Sequence, residues 1–202
     1  MRFNTLLKVL TLFSLVAIGN AQAQWNLDKR QSELYFTFIK AAQIGTVGHF
    51  ESFDANVTDD GKAKLTIDLA SLNTGIDKRD NRLRNIFFDT SKYPTADVEI
   101  NLSKDIYERL SVGETEKVRV SAKVKLHGKT KRLRELVNVT LLNEKTVEVA
   151  TAKPILLDVS DYGLMHGIQK LIDLAGVKSI SQSVPVTFRL RFDGTEANQP
   201  QS

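Results

Sequence analysis

Residues 118–129 read VRVSAKVKLHGK. Every second position of the first nine residues is apolar: Val118, Val120, Ala122, Val124 and Leu126. A period of two is typical of a β-strand with one buried face. The closing His127-Gly128-Lys129 indicates a tight turn into a second strand. The stretch therefore predicts an antiparallel hairpin in a β-sheet protein.

The same alternation recurs along the chain and predicts eight strands in all. The apolar sets of the other seven are Leu34/Phe36/Phe38, Phe53/Ala55/Val57, Leu65/Ile67/Leu69, Ala96/Val98/Ile100/Leu102, Val137/Val139/Leu141, Val147/Val149 with Ile155 to Leu157, and Val184/Val186/Phe188/Leu190/Phe192. Short turns at 59–61 and 143–145 join neighbouring strands, which favours antiparallel pairing. Such a pattern fits a closed barrel or a sandwich, and eight strands can close around one small ligand.

Two segments depart from the strand pattern. In the first, apolar residues at helical spacing predict a short helix over about 78–88: Leu83, Ile86 and Phe87. We expect Asp80 and Arg84 to form an i, i+4 pair on its surface. The second helical segment is predicted between Ser160 and Gly176, with Ser160 or Asp161 capping its start and Gly176 ending it.

The amino terminus has the features of a signal peptide. Arg2 and Lys8 accompany an apolar run over 6–18, which is too short to span a bilayer, and Ala21-Gln22-Ala23 suits a signal peptidase. We therefore predict a signal peptide over 1–23, one domain over 24–194 and a disordered tail over 195–202.

Composition narrows the function classes. The 202 residues include 28 Lys+Arg, 24 Asp+Glu and no cysteine, so disulfides, cysteine-ligated metals and thiol catalysis are excluded. Loss of residues 1–23 removes two basic residues and no acid, so the net charge falls from +4 to +2. Because acids and bases are interspersed throughout, we expect no nucleic-acid partner.

The chain shows no recognisable catalytic motif. Neither Gly-x-Ser-x-Gly nor Ser-x-x-Lys occurs, and no two of His49, His127 and His166 lie at i, i+4 spacing. We assign no catalytic residue, no metal ligand and no catalytic cofactor. The phenylalanines of the strands and first helix fit either an apolar cavity or a filled core, and a filled core is the commoner outcome for a small β protein.

Blocks of sequence along the chain nevertheless resemble a known family in order and spacing. The early blocks are WNLD at 25–28, SELYFTF at 32–38 and GHFESF at 48–53. The central block is the most specific, with SLNTG at 71–75, RDNRLR at 79–84, FFD at 87–89 and YPTA at 93–96. LHGKT at 126–130 and SDYGL at 160–164 follow. Together they resemble the YceI family of exported polyisoprenoid-binding proteins.

The resemblance implies an all-β fold, a lipocalin-like eight-stranded antiparallel β-barrel with one or two short helical segments near its mouth. It also implies a periplasmic protein that holds an isoprenoid lipid, a polyprenyl phosphate or an isoprenoid quinone, for transport, storage or sensing. We expect transient contact with the membrane or with membrane redox proteins, and a homodimer stays open. The alternatives are an interaction module with a filled barrel and an enzyme acting on a small apolar substrate.

The ligand would need apolar walls and polar partners at the opening. We expect the walls to include Phe36, Phe38, Phe53, Leu65, Ile67, Phe87, Phe88, Leu164, Ile168 and Phe188. The candidates for the head group are Arg79, Arg82 and His49, since guanidinium groups suit phosphate and carbonyl oxygens. Arg79 and Arg82 have an equally plausible structural role, pairing with Asp77, Asp80 or Asp89.

Overall fold

The structure is a computed structural model that describes residues 23–58, 60–103, 106 and 109–195. The predicted signal peptide, apart from Ala23, and the predicted tail, apart from Thr195, lie outside the described residues. The strands in the described part of the chain are β1 Ala23–Leu27, β2 Glu33–Lys40, β3 Ile44–Phe50, β4 Phe53–Thr58, β5 Lys62–Asp68, β6 Leu72–Asn73, β7 Thr95–Asn101, β8 Thr115–Leu126, β9 Lys129–Asn143, β10 Thr146–Thr151, β11 Ile155–Asp158 and β12 Ser183–Gly194.

These strands close into an eight-stranded antiparallel barrel, as predicted. The ring runs β1, β4, β5, β7, β8, β9, β10, β12 and back to β1. Three long strands of the barrel are each divided into two by a short break. A 3-10 turn at Lys29–Gln31 separates β1 from β2, residues 51–52 separate β3 from β4, and residues 152–154 separate β10 from β11. The barrel closes where β12 pairs with β1 and, further along, with β2.

The hairpin read from residues 118–129 is present. The apolar residues of β8 are buried and the polar ones between them are exposed. Only His127 and Gly128 separate β8 from β9, and both have positive φ, at 49° and 74°. A two-residue turn with two positive φ angles has the twist that matches an antiparallel pair. The register then runs from Leu126 opposite Lys129 to Thr115 opposite Thr140.

Two helical segments lie at one end of the barrel, as predicted. Helix α1 spans Asp77–Arg82 and continues into a π-helical turn, Leu83–Phe88. A 3-10 turn at Val159–Tyr162 leads into α2, Met165–Ala175, which ends at Gly176 in the left-handed conformation. None of the helices in the described residues is long and apolar enough to cross a membrane.

The predicted caps at the start of the second helical segment are wrong, although helical turns do begin at Val159, next to the predicted Ser160. Ser160 and Asp161 lie inside the 3-10 turn, whose cap is Asp158, and the carboxylate of Asp158 accepts a hydrogen bond from the Ser160 backbone N–H at 2.9 Å. Gly163 has a φ of 70° and separates this turn from α2, which begins after Leu164 without a side-chain cap. The break at Gly163 therefore moves the start of α2 beyond both predicted caps.

The predicted surface pair of Asp80 and Arg84 is also wrong. Asp80 is only 3 % exposed, and its carboxylate accepts hydrogen bonds from the backbone N–H and the hydroxyl of Thr74. Arg84 instead donates to the backbone carbonyls of Ala70 at 2.7 Å and Leu72 at 2.9 Å. Both side chains satisfy backbone groups of the segment before α1, and they hold this segment to the helix.

Candidate functional site

The barrel encloses a cavity of about 510 Å³. Inward-facing apolar side chains from all eight barrel strands line it, and those of β8 are Val118, Val120, Ala122, Val124 and Leu126. The volume falls in the range of roughly 300–1,000 Å³ that ligand sites usually occupy. The structure thus gives an open interior rather than the filled core that we held as an alternative.

The cavity runs along the barrel, with the helical segments at one end. Phe87 and Phe88 of the π-helical turn and Leu164, Ile168 and Leu171 of the second segment cover part of that end. Their packing is close because α2 crosses the π-helical turn at a glycine. A Cβ atom on Gly167 would lie 3.0 Å from the Cα of Phe87. At the other end, Ile106 and Leu110 pack against the inward residues of β8, β9 and β10.

Beside these helices the cavity has a mouth with four basic residues. Lys40 ends β2, and Lys78, Arg79 and Arg82 belong to α1. Two contacts hold α1 next to the β2–β3 hairpin: the Arg79 guanidinium lies 5.8 Å from the ring centre of Phe38 and 3.5 Å from the Thr46 hydroxyl. Among the cavity-lining residues that the structure describes, Glu135 is the only acid, and it lies on β9 rather than at the mouth.

The two predicted arginines differ in what they contact. Arg79 donates from Nε to the Thr74 hydroxyl at 2.7 Å and from Nη2 to the Thr74 carbonyl at 2.6 Å. Arg82 is half-buried and forms no hydrogen bond or ion pair with any described residue. Neither arginine forms the predicted ion pairs with Asp77, Asp80 or Asp89 within the described residues. Arg79 therefore fixes the segment before α1, and Arg82 is the arginine available to a ligand.

His49, the third head-group candidate, does not line the cavity. Residues of β3 alternate, so Gly48 and Phe50 face inward and His49 faces outward. Its side chain is 44 % exposed, near the ring of Tyr35 and 3.8 Å from the carboxylate of Glu51. The prediction that His49 contacts the head group at the mouth is therefore wrong, because the alternation of β3 directs its ring to the outer face of the barrel.

Nine of the ten predicted wall residues line the cavity in the structure. They are Phe36, Phe38, Leu65, Ile67, Phe87, Phe88, Leu164, Ile168 and Phe188. Phe53 is buried in the same core cluster but does not reach the cavity surface. What any of these side chains binds stays a prediction.

Sequence reasoning missed two of the basic residues at the mouth, Lys40 and Lys78. Lys40 lies two positions after Phe38 and four after Phe36, so the period of two in β2 already assigns it to the inward face. Lys78 carried no comparable signal, because the first turn of α1 is placed by the tertiary contacts of Arg79 and Asp80.

One polar atom of the cavity wall is sealed away from solvent. Tyr162 is 1 % exposed, and its hydroxyl has no hydrogen-bond partner among the residues that the structure describes. Burial, and secondarily the nearby charge of Asp161, raises the pKa of this phenol. No group of three or more histidine and acidic side chains that could hold a metal lies in the described residues.

The fold and site define a class: an antiparallel barrel with an apolar lumen and a basic mouth, suited to an apolar ligand with a polar end. The chain belongs to the YceI family, since the model of the YceI-like domain matches residues 25–192. A search of curated proteins found no match.

Solved structures agree with this assignment. A polyisoprenoid-binding domain from Saccharophagus degradans, implicated in plant cell wall breakdown, is 34% identical with a TM-score of 0.84, and the match covers 86% of this chain and all of that one. BcnA of Burkholderia cenocepacia is 22% identical with a TM-score of 0.63, covering 82% of this chain and 98% of that one. The Campylobacter jejuni YceI protein is 17% identical with a TM-score of 0.54, covering 97% and 100%. The last two show the shared fold alone.

Proposed function

We propose that the protein is a periplasmic carrier that holds one isoprenoid lipid, a polyprenyl phosphate or an isoprenoid quinone, inside the barrel. The observation that carries the proposal is the distribution of polarity along the cavity. The described wall residues are apolar except at a few positions, which include Asn56, Lys64 and Glu135. Four of the five basic residues among the described lining residues lie at the mouth, and the fifth, Lys64, lies on β5. An apolar tail gains about 25 cal/mol for each Å² that it buries, so a long prenyl chain needs few specific contacts.

The head group would lie at the mouth, against Arg82, Lys40 and Lys78. None of these three side chains forms a hydrogen bond or ion pair with a described residue, so each is available to an anionic oxygen. Arg82 suits a phosphate best, because its planar guanidinium donates two parallel hydrogen bonds. A quinone carbonyl would accept one of these bonds but would leave the positive charge unbalanced.

Binding, rather than catalysis, is the activity that the family assignment supports. The Saccharophagus degradans relative is described as a polyisoprenoid-binding domain. Export to the periplasm is supported by the predicted signal peptide. Storage and sensing would use the same cavity, and a carrier differs from them in exchanging its lipid with membranes.

Mass spectrometry tests this proposal. Protein purified from its exported compartment should show in native spectra a mass above that of the chain, and organic extraction should release a prenyl lipid that identifies the ligand. Protein that carries no lipid and takes up neither polyprenyl phosphate nor quinone when these are added would contradict the proposal.

A substitution at the mouth tests the placement of the head group. Arg82→Gln should weaken binding of a polyprenyl phosphate by at least 10-fold relative to the matching uncharged polyprenol, since a hydrogen bond to a charged group contributes about 1.5–3 kcal/mol. The control is Arg132→Gln, which removes the same charge from an exposed position on β9. Equal loss in both variants, or loss in neither, would place the head group elsewhere.

A further inference from the structure

The mouth of the cavity is also the part of the barrel where exposed apolar side chains concentrate. Four of the eight large apolar side chains that are exposed in the described residues lie on the segments around it: Ile39, Ile44, Ile76 and Leu174. They are between 44 % and 52 % exposed. Exposed apolar residues that lie singly on a surface need no explanation, but a cluster around an opening does.

These four residues belong to one continuous rim. The β2–β3 hairpin is joined to the segment after α2 by hydrogen bonds from the Ala41 N–H to the Ser179 carbonyl and from the Ser181 N–H to the Ile39 carbonyl, both at 2.8 Å. Arg79 connects α1 to the same hairpin through Phe38. Ala175, at the end of α2, lines the cavity next to exposed Leu174. We call the hairpin tip at 39–44, the start of α1 and residues 174–181 the mouth rim.

The mouth rim is basic as well as apolar. Lys40, Lys78 and Lys178 form no ion pair with described residues, and the same holds for Arg82, which lies one turn after Lys78 on α1. The acids of the rim and of the last turn of α2 are Asp77 and Asp173, so basic residues are in excess even before Arg79 is counted. The opposite end differs, because Asp60 pairs there with Lys62 and Glu116 with Arg109.

We propose that the mouth rim is a docking surface for a lipid bilayer with anionic head groups. The isoleucines and Leu174 would enter the boundary between head groups and acyl chains, while the lysines lie at the level of the lipid phosphates. Each basic residue near such a surface contributes about 1 kcal/mol, so the contact is reversible and sensitive to salt.

The choice of a bilayer as the partner of the mouth rim follows from the residues around the opening. A bilayer offers both an apolar interior and a layer of negative charge, which are the two properties that the rim complements. The inference rests on the proposed function in one respect: docking by this face would open the cavity toward a membrane-bound isoprenoid without exposing its tail to water.

Vesicle co-sedimentation tests the surface independently of ligand. The wild-type protein should sediment with vesicles of phosphatidylcholine mixed with phosphatidylglycerol, much less with phosphatidylcholine alone, and less at high salt. The double variant Lys40→Gln/Lys78→Gln should lose roughly 30-fold in affinity, at about 1 kcal/mol for each lysine. Ile44→Ser/Ile76→Ser should also weaken binding, because it removes apolar side chains from the rim.

The matched control is Val112→Ser, which removes a side chain that is 59 % exposed and lies near the opposite end of the barrel. The inference is overturned if the wild-type protein sediments with neither kind of vesicle. It is equally overturned if the rim variants bind vesicles with the same affinity as the wild type and Val112→Ser. It is also overturned if the rim variants lose cross-links to a membrane protein while vesicle binding is absent, since the rim would then fit a protein. Native mass spectra of Ile44→Ser/Ile76→Ser, whose residues are not assigned to the head group, report lipid occupancy. Lost docking with retained lipid in this variant leaves the proposed function intact.

Discussion

Replacing Ala122 with phenylalanine would place an aromatic ring inside the barrel cavity. Ala122 is the smallest inward residue of β8, and it lies opposite Ile100 of β7 and Leu133 of β9. All three residues line the cavity. The substitution therefore asks whether the space that the structure shows in the lumen is available to a side chain.

The sign of the stability change separates an open lumen from a filled one. If the cavity is open, burying a phenylalanine side chain stabilises the lipid-free protein by about 1.5–3 kcal/mol. If the core is filled, overpacking costs about 1–3 kcal/mol. At this size, each kcal/mol shifts the melting temperature by about 2–4 °C.

Urea unfolding of delipidated Ala122→Phe gives this sign, and native mass spectrometry gives the lipid occupancy. We expect higher stability and lower occupancy, because the ring takes up space that the tail needs. Ser121→Phe is the control, since it adds the same ring to the exposed face of β8. An Ala122→Phe protein that is less stable and retains its lipid would refute the reasoning.

Two further predictions concern the end of the barrel covered by the helices. Tyr162→Phe removes a buried hydroxyl that has no partner among the described residues, and it should raise the free energy of unfolding of the lipid-free protein by about 1–3 kcal/mol. Urea denaturation measures this change, and a lower free energy of unfolding in the variant would show that the hydroxyl has a partner. Burial and, secondarily, Asp161 raise the pKa of Tyr162, so ionisation of this phenol costs the wild type no stability below about pH 10 but lowers it as the pH rises through the raised pKa. The variant cannot ionise at this position and should lose less stability in that range. Gly167→Ala should destabilise the protein by about 1–2 kcal/mol, because the added Cβ would press on the backbone of Phe87 and this overpacking exceeds the gain in helix propensity. The control Lys170→Ala, at an exposed position of the same helix, should change the stability little. Equal effects of the two substitutions would contradict this packing.

The strands could be predicted because a barrel wall has one apolar face, which appears in the sequence as a period of two. The same pattern could not show where a barrel strand bends. Pro154 is a local mark of the break between β10 and β11 at 152–154, because proline cannot donate a ladder hydrogen bond, and the period of two alone passes over it. On either side of the break, β12 pairs with both strands. Strand β3 was missed because Gly45 and Gly48 interrupt its alternation.

The missed β3 explains the misplacement of His49. Gly48 is paired with Phe36 on β2, and a Cβ on Gly48 would collide with the Phe36 ring, so the aromatic residue on the neighbouring strand requires glycine at this inward position. Once Gly48 is assigned to the inward face, His49 must point outward. The contacts of Arg79 and Arg82 depended on the tertiary placement of α1, and their spacing in the sequence gave no means of separating their roles.

Photo-crosslinking with polyprenyl phosphates tests the central claim most directly, because it locates both ends of the ligand. One probe would carry the reactive group at the end of the prenyl tail, and the other beside the phosphate. The account predicts that the head probe labels peptides of α1 and the β2–β3 hairpin, while the tail probe labels inward residues of β8, β9 or β10 deep in the barrel. Labels from both probes on the outer surface, or a tail at the mouth with the head inside, would contradict it.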